Sequence, residues 1–387
     1  MAISKISANM IDGSLTSSLV TGPLPAVDGS ALTGAGAGID TDSTNNPTIN
    51  TNPSATGHLW SNKTSGEMFI CTDATAGANI WINVGGGVGD VAPFHGAGKI
   101  SGFTVAGYGG APLAYKATID KYSFVSDGDA TDHGDISGAK SNLAGHSSTT
   151  HGYVSAGEPN NNVIEKFPFA GSSVSSTDVG DLSESKYAVT GSSSTTHGYT
   201  SGGRNPSSTD LTTIEKFSFS SNGNATDVGD MTVAGRGAGG THSTTHGYIC
   251  GGRASGDTNT IDKISFATDG NATDMANLTV ARHGIDTSCS ETHGYCHGGH
   301  AGNFVNTIDK FSFAAGSNST DVGDLTFARY FCSGTSSTTH GYTAGGYSGA
   351  YNDIIEKFAF ATDGNGVDST GNLTDTNYGC SSGSVQY

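Results

Sequence analysis

Residues 340–360 read His340-Gly341-Tyr342-Thr343-Ala344-Gly345-Gly346, a loop, and then Ile354-Ile355-Glu356-Lys357-Phe358-Ala359-Phe360. The second phrase has earlier copies at Ile119-Asp120-Lys121, Ile164-Glu165-Lys166, Ile214-Glu215-Lys216, Ile261-Asp262-Lys263 and Ile308-Asp309-Lys310. Successive isoleucines in this series, ending at Ile355, lie 45, 50, 47, 47 and 47 residues apart. The first phrase keeps step with it, as Gly102-Phe103 and then as His-Gly-Tyr from His151, His197, His246, His293 and His340. A fixed period of this size belongs to solenoids, propellers and arrays, in which one unit cannot bury its apolar surface alone. Six units occupy residues 89–387.

The last unit shows what each contains. Phe331 to Thr335, Gly341 to Gly346, Ile354 to Phe360 and Val367 to Leu373 are predicted strands, the last two joined by a tight Asp363-Gly364-Asn365 hairpin. No window carries apolar residues at helical spacing, and 59 glycines argue against helix. Four short antiparallel strands in about 47 residues match one propeller blade, and a closed ring leaves no open sheet edge. In the later units the Gly-Asp step stands 17 residues before the His-Gly-Tyr glycine, as from Asp324 to Gly341; from Asp90 to Gly102 it is only 12. The first unit therefore lacks room for its innermost strand. The terminal segment Tyr378–Tyr387 aligns with the start of a unit at Tyr330-Phe331-Cys332 and is predicted to supply that strand. The expected architecture is all-β, a six-bladed ring latched by its C-terminus.

The order of features resembles the kelch repeat. Glycine pairs end the second strand at Gly109-Gly110, Gly202-Gly203, Gly251-Gly252, Gly298-Gly299 and Gly345-Gly346; paired aromatics such as Phe217 and Phe219, a Gly-Asp step and a basic residue follow. The second unit departs with Ala156-Gly157, and Val179, Val228 and Val322 stand where kelch repeats carry tryptophan. The resemblance bears on fold, not on activity.

The first 88 residues do not share the period. Residues 1–36 hold scattered apolar side chains among Gly, Ser and Thr, too few for a core, and read as an extended anchor or oligomerisation arm. Residues 37–57 are a polar linker, and 58–88 form a small β module holding both tryptophans, Trp60 and Trp81. The phrase Leu24-Pro25-Ala26-Val27-Asp28-Gly29-Ser30-Ala31-Leu32-Thr33-Gly34 resembles attachment and stalk segments of tailed-bacteriophage fibre proteins. The block from Leu59-Trp60 to Trp81-Ile82-Asn83-Val84-Gly85 is similar to a module found beside such segments.

That resemblance implies a virion structural protein assembled in the host cytoplasm, a tail fibre or receptor-binding component. Residues 1–88 would bind tail or capsid proteins, packing as a homotrimer, and the repeat domain would bind a host-surface glycan or protein. Placement on the capsid as a decoration or head fibre is an alternative, and a carbohydrate-active enzyme or cellular kelch adaptor is a third reading. A formal charge of −18 repels phosphate backbones and argues against nucleic-acid binding. No apolar run approaches membrane-spanning length and no signal-peptide pattern opens the chain, so no membrane insertion is expected. Six cysteines form no Cys-x-x-Cys pair, and no disulfide framework is expected.

Catalytic motifs are not found. The five arginines do not supply the separate triad that sialidase-type propellers use, and no enzyme activity or cofactor is expected. The His-Gly-Tyr histidines sit at repeated turns, where the imidazole caps backbone groups; no metal is assigned to them, nor to His293, His297 and His300 with Cys296, which straddle a strand. Acidic hairpins such as Asp127-Gly128-Asp129 and Asp269-Gly270-Asn271 read as Asx turns, with Ca2+ binding the other reading. The Asn224 and Asn271 glycosylation sequons carry no weight without a secretory signal.

Lys140, Lys186, Arg236, Arg282 and Arg329 stand five or six residues beyond the Gly-Asp-type step and form an axial basic ring. Such a ring either grips an acidic sugar or pairs with neighbouring acids such as Asp181, Asp230 and Asp324. Loops after the glycine pairs vary most between units and are the expected ligand-binding surface, with Arg204, Arg253, His300, Phe304, Tyr347 and Tyr351 as contacts.

Overall fold

The computed structural model describes residues 39–84, 98–159 and 161–387, all of them strand, turn or irregular, with no helix. The expected arm of residues 1–36 lies outside the described residues. Contacts divide the chain into two units, represented by residues 39–84 and 98–387.

The smaller unit is a four-stranded sheet in the order Thr41–Ser43, Leu59–Asn62, Met68–Asp73, Ile80–Asn83. Its first pair is parallel and the others antiparallel. Phe69, Cys71 and Trp81 are buried, with Trp60 edge-on to Trp81 at 5.8 Å between ring centroids. The stretch read as linker therefore contributes to this unit. Its polar side chains replace apolar burial with hydrogen bonds: Asn79 Nδ2 donates to Ile49 O (2.8 Å) and Asn62 Nδ2 to Asn46 Oδ1 (2.6 Å).

The larger unit holds six four-stranded sheets, one per repeat, here numbered sheet 1 to sheet 6. Sheet 5 is typical, running antiparallel in the order Asp286–Cys289, His293–His297, Thr307–Ser312, Thr320–Asp324. Sheet 1 differs. It contains Ser101–Gly109, Ala114–Ser123 and Thr131–Lys140 of its own repeat, and Val174–Ser175 joins its outer side in parallel. Beyond Ser101–Gly109 runs the C-terminal segment: Phe103 donates to Val385 O (2.9 Å), Tyr108 to Tyr378 O (2.8 Å), and Ser101 and Tyr387 exchange two bonds of 2.9 Å.

The repeated phrases have repeated jobs. Each motif isoleucine is at most 1% exposed. The His-Gly-Tyr glycine makes room for an aromatic of the next strand: a Cβ at Gly198, Gly294 or Gly341 would collide with the ring of Phe217, Phe311 or Phe358. The tyrosine reaches the following sheet. Ring centroids are 4.6 Å apart for Tyr153–Phe219, 4.8 Å for Tyr199–Phe266, 4.7 Å for Tyr248–Phe313 and 4.7 Å for Tyr295–Phe360. Phe103–Phe169 joins sheets 1 and 2 at 5.1 Å, and Tyr342–Phe124 joins sheet 6 to sheet 1 at 4.7 Å. The contact of sheet 6 with sheet 1 is thus of the same kind as the other five.

Hairpins clasp the preceding sheet as well. Asn224 Oδ1 accepts from Asp181 N, Asn271 from Asp230 N and Asn365 from Asp324 N, and Asp129 Oδ1 accepts from Asn372 N, each at 3.0–3.1 Å. Lysines of the Ile-Asp/Glu-Lys phrase bind the same hairpins, as in Lys216–Asp269 (2.8 Å), Lys310–Asp363 (3.0 Å) and Lys357–Asp127 (2.5 Å). The acidic hairpin oxygens are therefore engaged by a neighbouring sheet, which accounts for them without Ca2+.

Candidate functional site

The site is built from one register position repeated around the sheets. At the entry to each innermost strand a residue bridges a partner just past a left-handed pair, which is Ala106-Gly107 in the first repeat rather than the expected Gly109-Gly110, Ala156-Gly157 in the second and two glycines in the rest: Ser141 with Glu158, Tyr187 with Arg204, Arg236 with Arg253, His283 with His300, Tyr330 with Tyr347 and Tyr378 with Tyr108. In four repeats the residue that closes the loop, bridged across it, then meets the inner residue of the next repeat. Asp210 receives Arg236 (2.5 Å), Asp257 meets His283 (2.8 Å), Phe304 stacks on Tyr330 (5.2 Å between centroids) and Tyr351 lies against Tyr378 (6.1 Å). One arc is therefore charged and the opposite arc aromatic, with His283 and His300 at the junction.

The next residue along is left-handed in all six cases: Asn142 (φ 54°), Ala188 (51°), Gly237 (62°), Gly284 (63°), Phe331 (50°) and Gly379 (63°). Their peptide groups are joined head to tail. Ala188 N–H donates to Asn142 O (2.8 Å), Gly237 to Ala188 (2.8 Å), Gly284 to Gly237 (2.7 Å), Phe331 to Gly284 (2.9 Å), Gly379 to Phe331 (2.8 Å) and Asn142 to Gly379 (2.5 Å). Three of the six carry side chains in a region that disfavours them, and the hydrogen-bond circle holds them there.

Above this circle lies a depression of about 310 Å³. Arg236, Arg253, Glu158 and Tyr187 line its polar side, and His283, Phe331 and Tyr378 the other. No protein-family model matches the chain, and no curated protein does either.

The six expected ligand contacts are brought together on this rim, but of them only Arg253 lines the depression. Its side chain is 44% exposed, whereas Arg204 binds Ser208 O (2.9 Å) and the aromatics pack on one another. Arg236 was expected near the axis as part of the basic ring, whereas Glu158, Tyr187, His283 and Tyr378 were not; the signal that could have found Tyr187 and His283 is the register itself, one residue after the buried Lys186 and Arg282.

The basic ring is corrected by that register. Lys140, Lys186, Arg282 and Arg329 are buried and pair with the motif acid of the following sheet: Lys140–Glu165 (2.7 Å), Lys186–Glu215, Arg282–Asp309 (3.2 Å) and Arg329–Glu356. None of the acids named as alternatives, Asp181, Asp230 or Asp324, is the partner. No ligand can reach these four cations. Arg236 is one residue out of phase: Gly235 takes the buried position, its carbonyl accepting from Gly203 as Arg282 O does from Gly252. Asp262 consequently lacks a cation and keeps only the Thr232 N–H and hydroxyl (2.8 and 2.6 Å), the pair of bonds that Thr279 gives Asp309 beside Arg282. Burial pushes the Asp262 carboxyl up.

The His-Gly-Tyr histidines have a different role from the one expected. The preceding serines, such as Ser337, accept backbone N–H groups of the turn, while the imidazole Nδ1 sits 2.8 Å from the adjacent threonine hydroxyl in all five repeats. His293, His297 and His300 do not converge: His297 is buried between Ser288 and Thr343 hydroxyls (2.9 and 2.8 Å).

Beneath the circle Asp286 is fully buried, and desolvation raises its carboxyl to about 7. A carboxyl raised in the fold binds a proton that the unfolded chain has released. Its contribution to stability is thus complete below ~4, the unfolded value, and is lost as pH rises through about 7. Buried His146 and His242, lowered to about 4 by desolvation, act oppositely, costing stability as pH falls below ~6.5. A difference measurement separates them: the melting temperature of Asp286→Asn minus that of the parent should climb between pH 5 and about 7, then level off. A difference that stays flat over that window would place the Asp286 carboxylate in a charged, satisfied state.

Proposed function

We propose that residues 98–387 form a closed six-bladed propeller that serves as the receptor-binding head of a tailed-phage fibre, taking a carboxylate-bearing glycan in the axial depression. Closure is supported by the sheet 6 to sheet 1 contacts, the circle of six peptide groups and the strand added by the C-terminal segment. The observation that carries the binding role is the depression itself, in which Arg253, 44% exposed and tied only to Asp257 at 3.8 Å, stands opposite aromatic and imidazole groups. Guanidinium groups fork onto carboxylates, and aromatic faces take the apolar side of a sugar ring. The virion placement rests on the fibre-like phrase at Leu24–Gly34, and the separate Trp-containing sheet suits a modular fibre.

The test is adsorption of particles or purified protein to host cells and to sialylated or uronic-acid glycans. Loss of one charge-assisted pair costs roughly 1.5–3 kcal/mol, so Arg253→Ala should weaken binding about 10- to 100-fold with folding intact. His197→Ala, at a structural turn, should not change it. The reverse pattern would move the binding face to the His-Gly-Tyr turns.

A further inference from the structure

The rim holds one cluster that the glycan reading does not use. His283 and His300 face each other in an antiparallel bridge closed by reciprocal backbone bonds, His283 N to His300 O (3.1 Å) and His300 N to His283 O (2.8 Å). Side chains so paired leave the sheet on the same side, and the two rings lie 5.3 Å apart. Asp257, which closes the loop of the preceding repeat opposite Arg253, reaches the same point. One ligand atom from each of Asp257, His283 and His300 lies within 4.8 Å of the others.

We propose that Asp257, His283 and His300 form a binding site for one borderline divalent transition-metal ion of the Zn2+, Co2+ or Ni2+ class. Two imidazoles and a carboxylate are the donors such ions prefer, whereas Ca2+ and Mg2+ select oxygen alone. His300 Nδ1 is buried without a hydrogen-bond partner, and that unused nitrogen is what a bound ion would engage. The ion takes the place of the proton now shared between His283 Nδ1 and Asp257 Oδ1 at 2.8 Å. Bonds near ~2.1 Å require the three atoms to close in slightly. Arg253 Nη1, 3.8 Å from Asp257 Oδ1 and 44% exposed, swings into solvent to relieve repulsion. The equivalent positions of three other repeats hold Asp210 with Arg236, Phe304 with Tyr330 and Tyr351 with Tyr378, so among these described positions this repeat alone carries the donor set. Three protein ligands leave a coordination position open, and His283 places it at the edge of the depression.

The full chain, stripped with a chelator and held without glycan, is titrated with Co2+ by absorption and with Zn2+ by calorimetry. The expected result is one ion per chain, intensified Co2+ d–d bands, and at least a tenfold loss of affinity in each of His300→Gln, His283→Gln and Asp257→Asn. His293→Ala should bind as the parent does. His300→Ala is included so that misfolding of any one variant does not decide the matter. No intensified bands, or a one-ion site that survives in the folded variants, overturns the assignment. Because no glycan is present, that result leaves the receptor reading to be judged by adsorption.

Discussion

Deleting Tyr378–Tyr387 should abolish cooperative unfolding of the repeat domain near physiological temperature. The segment lies between Ser101–Gly109 of sheet 1 and Ala144–Ser147 of sheet 2, bonding Phe103, Ser101 and Tyr108 on one side and Gly145 and Leu143 on the other. It also completes the peptide circle through Gly379. Val385 is fully buried, Gln386 is 3% exposed, and Tyr387 stacks on Phe169 at 5.3 Å. Each backbone bond is worth ~1 kcal/mol net, and a buried aliphatic side chain ~1.5–3 kcal/mol. Their sum is comparable with the ~5–15 kcal/mol that holds a whole domain. Calorimetry reads the result directly, and a synthetic peptide of residues 378–387 should restore part of the transition. A truncated chain that melts as the parent does would show that the repeat domain does not depend on this segment.

Lys186→Ala should be the most damaging single substitution, at about 3–5 kcal/mol, because it strands a charge in the interior. Lys186 on sheet 2 and Glu215 on sheet 3 both have fully buried side chains, and Glu215 also accepts the Ser183 N–H at 2.6 Å. The paired change Lys186→Met with Glu215→Gln removes both charges, keeps an acceptor for Ser183 and should recover most of the loss. Urea denaturation of the three proteins gives the comparison. A cost below ~1 kcal/mol for Lys186→Ala would mean that water reaches Glu215 and the pair does not tie the sheets together.

Much of the fold was legible because it depends on short-range chemistry repeated at one period. The isoleucine is buried wherever the phrase occurs, and the glycine before each tyrosine or Phe103 is where an aromatic or aliphatic side chain of the adjacent strand presses on the backbone. The four strands of a repeat and the pairing of the C-terminal segment with Ser101–Gly109 follow from counting such phrases. Residues 37–57, expected as a linker, hold the strand Thr41–Ser43 and are tied to the sheet where Asn46 and Asn52 accept from the amides of Asn62 and Asn79, which composition reports as polarity alone.

The site was less legible because it depends on phase. Spacing of five against six residues from the Gly-Asp step decides whether a cation is sealed against the next sheet or stands on the rim, and Arg236 fell on the other side of that line from Lys186. The meeting of Asp257 with His283 and His300 joins residues of different repeats, and the left-handed turn at Phe331 has no glycine to announce it. The sequence by itself determined the repeat, its strands and the residues that must be buried, since those obey local sterics and hydrophobicity. Only the tertiary structure decided which charges are consumed between sheets and which face solvent, because that choice is made by the neighbour each side chain meets across the interface.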